Sequence, residues 1–472
     1  RIVPKTYRLP APASPDSAVI VIRGDGITVD FAGATLEGMD PAGDPDLAGG
    51  VAVRIEGGRQ VRILNARIRG YRFGILATGT RDLEIANGDF SYNWKPRLFS
   101  LVEHESLADW LSFHNNEQGE WRRFGAAIFL DQVSGGTIRA NTATQGMNAL
   151  LMNRVDHLLV RDNNFSFNSG LGIGLYRSSD NTLVRNVVDF AVRGYSHGFY
   201  RRGQDSAGIL LYEQSHHNVV ALNSATHGGD GLFLWAGQYT MNTGQGGAND
   251  NVFYGNDFSF APANGMEATF SRNVFLANIA EGNDYGLWGG YSFDSRVIAN
   301  CFRGNRFGVA IEHGQQNTIA ANRFAGDSTA IRLWGDSIQP SDWGYPKHRD
   351  TRSRDYWLGG NAFEGNRTRL QIAGTAGLRE SANDSLSAER GPCPPLPAVP
   401  AAYADLVPVL PPGVPLEIPR AATPRRHRSA IIVDEWGPYD YRSPKLWPAD
   451  STRAVPLRLG VYGPPGTWRV AD

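Results

Sequence analysis

Short apolar runs of about four to six residues recur along most of the chain, alternating with polar positions and closed by Gly, Asn, Asp or Ser. Two phrases take turns. One carries an asparagine just after its strand, as in "LLVRDNNF", "VFYGNDF", "VFLANIA", "VIANCF" and "TIAANRF". The other usually has a glycine near its start, as in "LGIGLYRS", "AGILLYEQ", "DGLFLWAG", "YGLWGGYS" and "FGVAIEHG". The pair returns about every 20–25 residues, the period of stacked repeats rather than of separate domains. Alternation with a period of two predicts short strands, and helical periodicity is confined to a weak patch at "HESLADWLSF".

A strand that buries one face cannot do so alone, so the repeats must stack on one another, about 4.8 Å apart. The recurring asparagine then falls at the same turn of every repeat, where its amide can bond to the copies above and below. Asn87, Asn141, Asn164, Asn186, Asn223, Asn256, Asn278, Asn300, Asn322 and Asn361 are expected to form this ladder. They are read as architecture and not as a site.

The phrases, together with the opening "VIVIRGDGITVDFAGATLEG", resemble the right-handed parallel β-helix superfamily of carbohydrate-binding proteins and sugar hydrolases, to which pectate lyases and polygalacturonases belong. The resemblance spans about residues 17–375 and implies an all-β, right-handed parallel β-helix. It does not select a reaction, because the superfamily includes lyases, hydrolases, epimerases and adhesive stalks. The expected organisation is a β-helix over 1–378 with loop insertions at 92–124, 191–206, 236–250 and 335–356. A Pro-rich linker at 379–428 follows, and then a β-strand tail at 429–472, either the start of a sandwich or strands packed back on the helix.

Composition narrows the class only a little. A net charge of -1 over 472 residues argues against nucleic acid or anionic membrane as partner, and no apolar run suits a bilayer span. Cys301 and Cys393 are too few for a disulfide framework and have no metal-site spacing, so no metal is expected. The chain opens at Arg1, which fits removal of a signal peptide and a trimmed chain equally; a secreted or periplasmic protein is expected.

The chemistry should lie on the outward face of the glycine-phrase strands. There the sequence places Phe129 and Asp131, Leu151 and Asn153, Gly174 and Tyr176, Leu210 and Tyr212, Phe233 and Trp235, Glu267 and Thr269, Trp288 and Gly290, Ala310 and Glu312, and Arg332 and Trp334. Aromatics stack on the C–H faces of sugar rings, and carboxylates, His and Arg bond the hydroxyls. The alternative is that loops or the tail cover these rings and make them core. Substrate-binding candidates are Asp131, Tyr176, Tyr212, Glu213, His227, Trp235, Trp288, His313, Arg332 and Trp334.

Glycosidic cleavage needs paired carboxyl groups, and Asp230, Glu267 and Glu312 are the catalytic candidates. Strand geometry sets Asp230 and Glu267 roughly 10 Å apart, nearer the inverting than the retaining separation. The resemblance adds that Asp230 in "GGDGLFL" stands where polygalacturonases carry a catalytic aspartate, with Gly229 in place of its partner; the neighbouring family residues are not matched. Asp205 is a further auxiliary candidate, and Glu103, His104 and Glu105 offer acid and base groups on the first long loop. A secreted glycoside hydrolase acting on an oligo- or polysaccharide without a cofactor is the leading expectation. A polysaccharide lyase or uronate epimerase using Arg201 or Arg202, with calcium if a lyase, is the first alternative, and a non-catalytic glycan-binding solenoid the second.

Overall fold

The computed structural model describes residues 1–472 except 13, 15–16, 101–105, 112–114, 195–205, 341, 388–389, 421–426, 449–457, 468 and 470–472. The alternating runs pair into two parallel sheets of 13 strands each among the described residues. The front sheet runs from Ala18–Arg23 to Thr368–Ala373, and the second from Thr28–Asp30 to Arg379–Ser381. A third face has three strands at the N-terminal end and five at the other, joined by single bridges from Arg67↔Asp89 to Asp257↔Ile279. This is a parallel β-helix. Its last strand in the third face, Asp384–Leu386, carries the helix slightly beyond the expected boundary at 378.

Register follows from burial. Ile209 pairs with Leu232 and Leu211 with Leu234, all pointing into the barrel and sealed from solvent, so a slip by one residue would turn the core outward. Aromatic rows reinforce the stacking inside, with Phe302 on Phe324 at 5.1 Å and Phe324 on Phe363 at 5.3 Å.

The asparagine ladder forms, with two changes. Asn141 donates its amide to Asn163 Oδ1, and the chain of bonds runs on through Asn186, Asn223, Asn256, Asn278, Asn300, Asn322, Asn361 and Asn383. The rung is thus Asn163 rather than Asn164, and Gly88 rather than Asn87 takes the first slot, its N–H donating to Asn141 Oδ1 at 2.9 Å. The reason is backbone geometry. The residue just before each rung adopts positive φ, as Arg185, Ala277 and Ala299 do, and Asn87 with φ 57° and Asp162 with φ 53° occupy that preceding place. A second ladder through Asn181, Asn218, Asn251 and Asn273 holds another turn.

The Pro-rich segment is not a free linker. Leu396, Val399, Tyr403, Leu406, Leu410 and Val414 lie on the outer surface of the second sheet against Val184, Leu222, Tyr254, Leu276 and Ile298. Cys393 is joined to Cys301 by a disulfide 92 residues apart in sequence, contrary to the expectation that the cysteines play no such part. Further on, the tail packs back on the helix: Ala430 meets Phe167 and Phe190, and Glu435 accepts from the N–H of Leu98. Two short antiparallel hairpins, Val433–Asp434 with Gly437–Pro438 and Lys445–Pro448 with Leu459–Tyr462, complete it.

Candidate active-site groove

Parallel register aligns the outward side chains in rows across the front sheet. One row runs Phe129, Leu151, Gly174, Leu210, Phe233, Glu267, Trp288, Ala310, Arg332, and the next contains Asp131, Asn153, Tyr176, Tyr212 and Trp235, then Glu312 and Trp334. The outward alternation expected from the sequence is therefore present. Outward does not mean open.

The N-terminal half of these rows is covered. Trp121, on the short 3-10 turn Glu120–Phe124, is wholly buried and packs against Tyr176 at 5.3 Å and Tyr212 at 6.1 Å. Tyr176 donates its hydroxyl to Glu117 and Tyr212 to Asn115, so both rings are core capped by the loop 92–124. Asp131 accepts from Arg122 at 2.9 Å and from Asn153 at 2.7 Å, which fastens the same loop. These three expected substrate contacts are structural. Glu103, His104, Glu105, Arg201, Arg202 and Asp205 lie outside the described residues.

The C-terminal half keeps side chains partly open. Asp230 begins the strand Asp230–Trp235, and its Oδ1 accepts from the backbone N–H of Asn264 at 2.8 Å. Asn264 in turn donates its amide to Glu267 Oε2 at 2.7 Å, so one asparagine ties the two carboxyl groups together. Asp230 is fully buried, whereas Glu267 retains an exposed edge. Burial pushes the Glu267 carboxyl up to about 8, so it is protonated at neutral pH. Asn264 was not anticipated; its signal, an amide three residues before a carboxylate at a strand start, is too common to read.

Beyond Glu267 an aromatic platform follows. Trp288 packs on Tyr285 at 5.2 Å and on Trp334 at 5.5 Å, and Arg332 lies over the Trp334 ring at 4.2 Å. Trp235 remains partly exposed at the near end, stacked on Tyr212 at 5.0 Å. Glu312 is pushed up to about 7, first by burial and then by the hydrogen bond and charge of Asp336, while Trp334 and Arg332 oppose the shift. It lies two coils on from Glu267 and two residues further along its strand, about 12 Å away, too far to act with it on one bond.

Three other candidates serve the turns. His227 is stacked between Phe190 at 4.5 Å and Phe260 at 4.9 Å, bonds Thr226 Oγ1 at 2.8 Å and is buried. Glu213 is buried beneath the backbone of Gly237, where a side chain at that glycine would strike its carboxylate, and burial raises its pKa. His313 stacks on Tyr291, with Nδ1 against the Thr351 carbonyl at 2.7 Å and Nε2 accepting from the Asp336 N–H at 3.2 Å. Glu312, His313 and Asp336 each place one ligand atom within 4.8 Å of the others. Both nitrogens of His313 already have backbone partners.

A family model described as a right-handed β-helix region matches residues 18–225, and one described as the periplasmic copper-binding protein NosD matches 203–379. No curated protein matches the chain. Similar solved structures include the periplasmic alginate epimerase AlgG, at 12% identity and TM-score 0.32, covering 79% of each chain. The A-module of the Azotobacter vinelandii mannuronan C-5 epimerase AlgE6 has 11% identity and TM-score 0.39, over 81% of this chain and 89% of that one. PfbA, a surface adhesin of Streptococcus pneumoniae, has 10% identity and TM-score 0.35, over 67% and 81%. These similarities concern the fold.

Proposed function

Starting from a chain that is a right-handed parallel β-helix protein, we propose that the open half of its front sheet binds a polysaccharide and that Glu267 is the general acid of a glycoside hydrolase. The observation that carries this is a partly exposed carboxyl group at the edge of an aromatic groove, with Oε2 held by Asn264 and, among the described residues, no hydrogen-bond partner on the other oxygen; burial pushes it up to about 8. Such a group can give its proton to a leaving glycosidic oxygen. Trp288 supplies a partly exposed ring face for a neighbouring sugar, backed by the buried Trp334, and Arg332 and Glu312 supply polar partners. Asp230 is the second carboxyl group, linked to Glu267 through Asn264; hydrolysis requires it to be uncovered to a water as the substrate binds. The disulfide suits a secreted or periplasmic location.

Lyase or epimerase chemistry is the second reading, and the same pair favours it. A neutral carboxyl beside an amide is a donor set for a uronate carboxylate, whose charge those reactions must mask. Copper does not fit the Glu312 cluster. That ion favours imidazole and sulfur ligands, and the single imidazole there is spent on the backbone, so no step is routed through a metal.

The test is a panel of neutral and acidic glycans, followed by release of reducing ends and by ultraviolet absorbance of unsaturated uronates, with wild type and Glu267→Gln. New reducing ends without that absorbance, falling about 10²–10⁴-fold in the variant, are expected for a general acid. Glutamine keeps a neutral donor, so activity that survives the substitution, with unsaturated products or with solvent-deuterium exchange and no cleavage, would move the assignment to a lyase or epimerase.

A further inference from the structure

A second cavity, of about 450 Å³, opens on the N-terminal part of the helix and is lined in part by Met39, Asp40, Arg69, Tyr92, Lys95 and Trp436. It is remote from Glu267. Lys95 precedes the strand Ala126–Asp131, and Asp230 begins a strand four coils further on, about 19 Å away along the axis. The tail closes one wall: Gly437 lies against Lys95, and Arg97 holds the Trp436 ring from outside at 4.4 Å.

Lys95 is 7% exposed, and among the described residues its ammonium makes one hydrogen bond for its three donors, to Gln145 Oε1 at 2.7 Å. Burial pushes it down to about 8; Asp434 and Asp440 oppose that shift, and Arg193 and Lys445 add to it. Asp434 is itself tied to the Lys445 ammonium. Arg69, at the same cavity, spends Nε and one terminal nitrogen on Glu37. A nearly buried cation with donors left over is costly unless a partner arrives, and the cavity beside it has room for one. Asp40, Gln145 and the rings of Tyr92 and Trp436 give the rest of the wall hydroxyl acceptors and a stacking face.

We infer that this cavity is a binding site for a sugar unit bearing a carboxylate, a uronic acid at a glycan end or alone, held by Lys95 through its charge and by Tyr92 and Trp436 through its ring. The assignment is independent of the chemistry at Glu267.

Calorimetric titration of the full chain with glucuronate, galacturonate, glucose and sulfate tests it. The uronates are expected to bind at least tenfold more tightly than glucose or sulfate, and to perturb tryptophan fluorescence. Lys95→Met should weaken uronate binding about tenfold or more. Because that variant alters a buried position, Tyr92→Asn is the companion: Tyr92 is 53% exposed with φ 60°, which asparagine accepts, so the fold should stand while affinity falls. Equal binding of glucose would overturn the acidic-sugar assignment, equal binding of sulfate would leave a bare anion site, and unchanged affinity in both variants would remove the site from this cavity. Lys95→Met should leave turnover at the Glu267 groove near wild type, which separates failure of this inference from failure of the catalytic reading.

Discussion

The two halves of the front sheet present the same outward rows and meet opposite fates. Around Tyr176 and Tyr212 the rings disappear beneath Trp121 and their hydroxyls are spent on the covering loop. Around Trp288 the same register leaves a partly exposed ring in the coil next to a neutral carboxyl group, with the buried Trp334 packed behind it. Strand direction decides which way a side chain points. A segment distant in sequence decides whether it reaches water.

The largest expected effect breaks the comparison at its open end. Glu267→Gln should lower turnover on the responsive glycan about 10²–10⁴-fold with little change in KM, read by steady-state kinetics. Wild-type activity should also fall as pH rises through about 8, where the acid loses its proton, and this limb should vanish from the residual rate of the variant.

Next comes the covered half. Trp121→Ala should cost about 3–5 kcal/mol of stability in denaturant unfolding, as removal of a fully buried large ring does. Away from the melt it should leave KM and kcat near wild type, because the covered rings do not meet substrate. Trp288→Ala should do the reverse, raising KM about tenfold, a loss of ~1.4 kcal/mol, with a smaller change in melting temperature because its ring is already partly exposed. If Trp121→Ala raised KM as much as Trp288→Ala, the division of the sheet into core and site would be wrong.

A smaller effect concerns pH and stability. The folded-state pKa of Glu267 is raised from 4.5 to about 8, so the folded chain holds a proton that the unfolded chain releases. The stability linked to that proton is complete below about 4.5 and is lost as pH rises toward 8. Glu267→Gln should therefore melt higher than wild type near pH 8, and the difference should shrink toward pH 4.5.

Much of this was readable beforehand, and the failures share a cause. Inward positions such as Ile209, Leu232 and Val309 were legible because alternation is a local property. The ladder was legible to within one residue. It slipped at "RDNNF", where two adjacent asparagines compete and only the positive φ of Asp162 selects Asn163. The burial of Tyr176 and Tyr212, the stacking of His227 and the bonding of His313 depend on packing between coils and on segments that return from far away. The Cys301–Cys393 disulfide likewise depends on where the Pro-rich segment settles, which no spacing of two cysteines encodes. Asn264, Tyr285 and Asp336 were missed because each becomes informative only through a neighbour in the next coil or loop.

The most direct test of the central claim needs no substrate. Carbon-13 NMR titration of chain labelled at glutamate side-chain carboxyls would follow Glu267, assigned by its absence in Glu267→Gln. A resonance titrating near 8 is predicted, distinct from the one near 7 that Glu312→Gln removes. Titration of Glu267 near 4.5 would contradict the account, because a carboxyl already ionised at neutral pH could not serve as the acid.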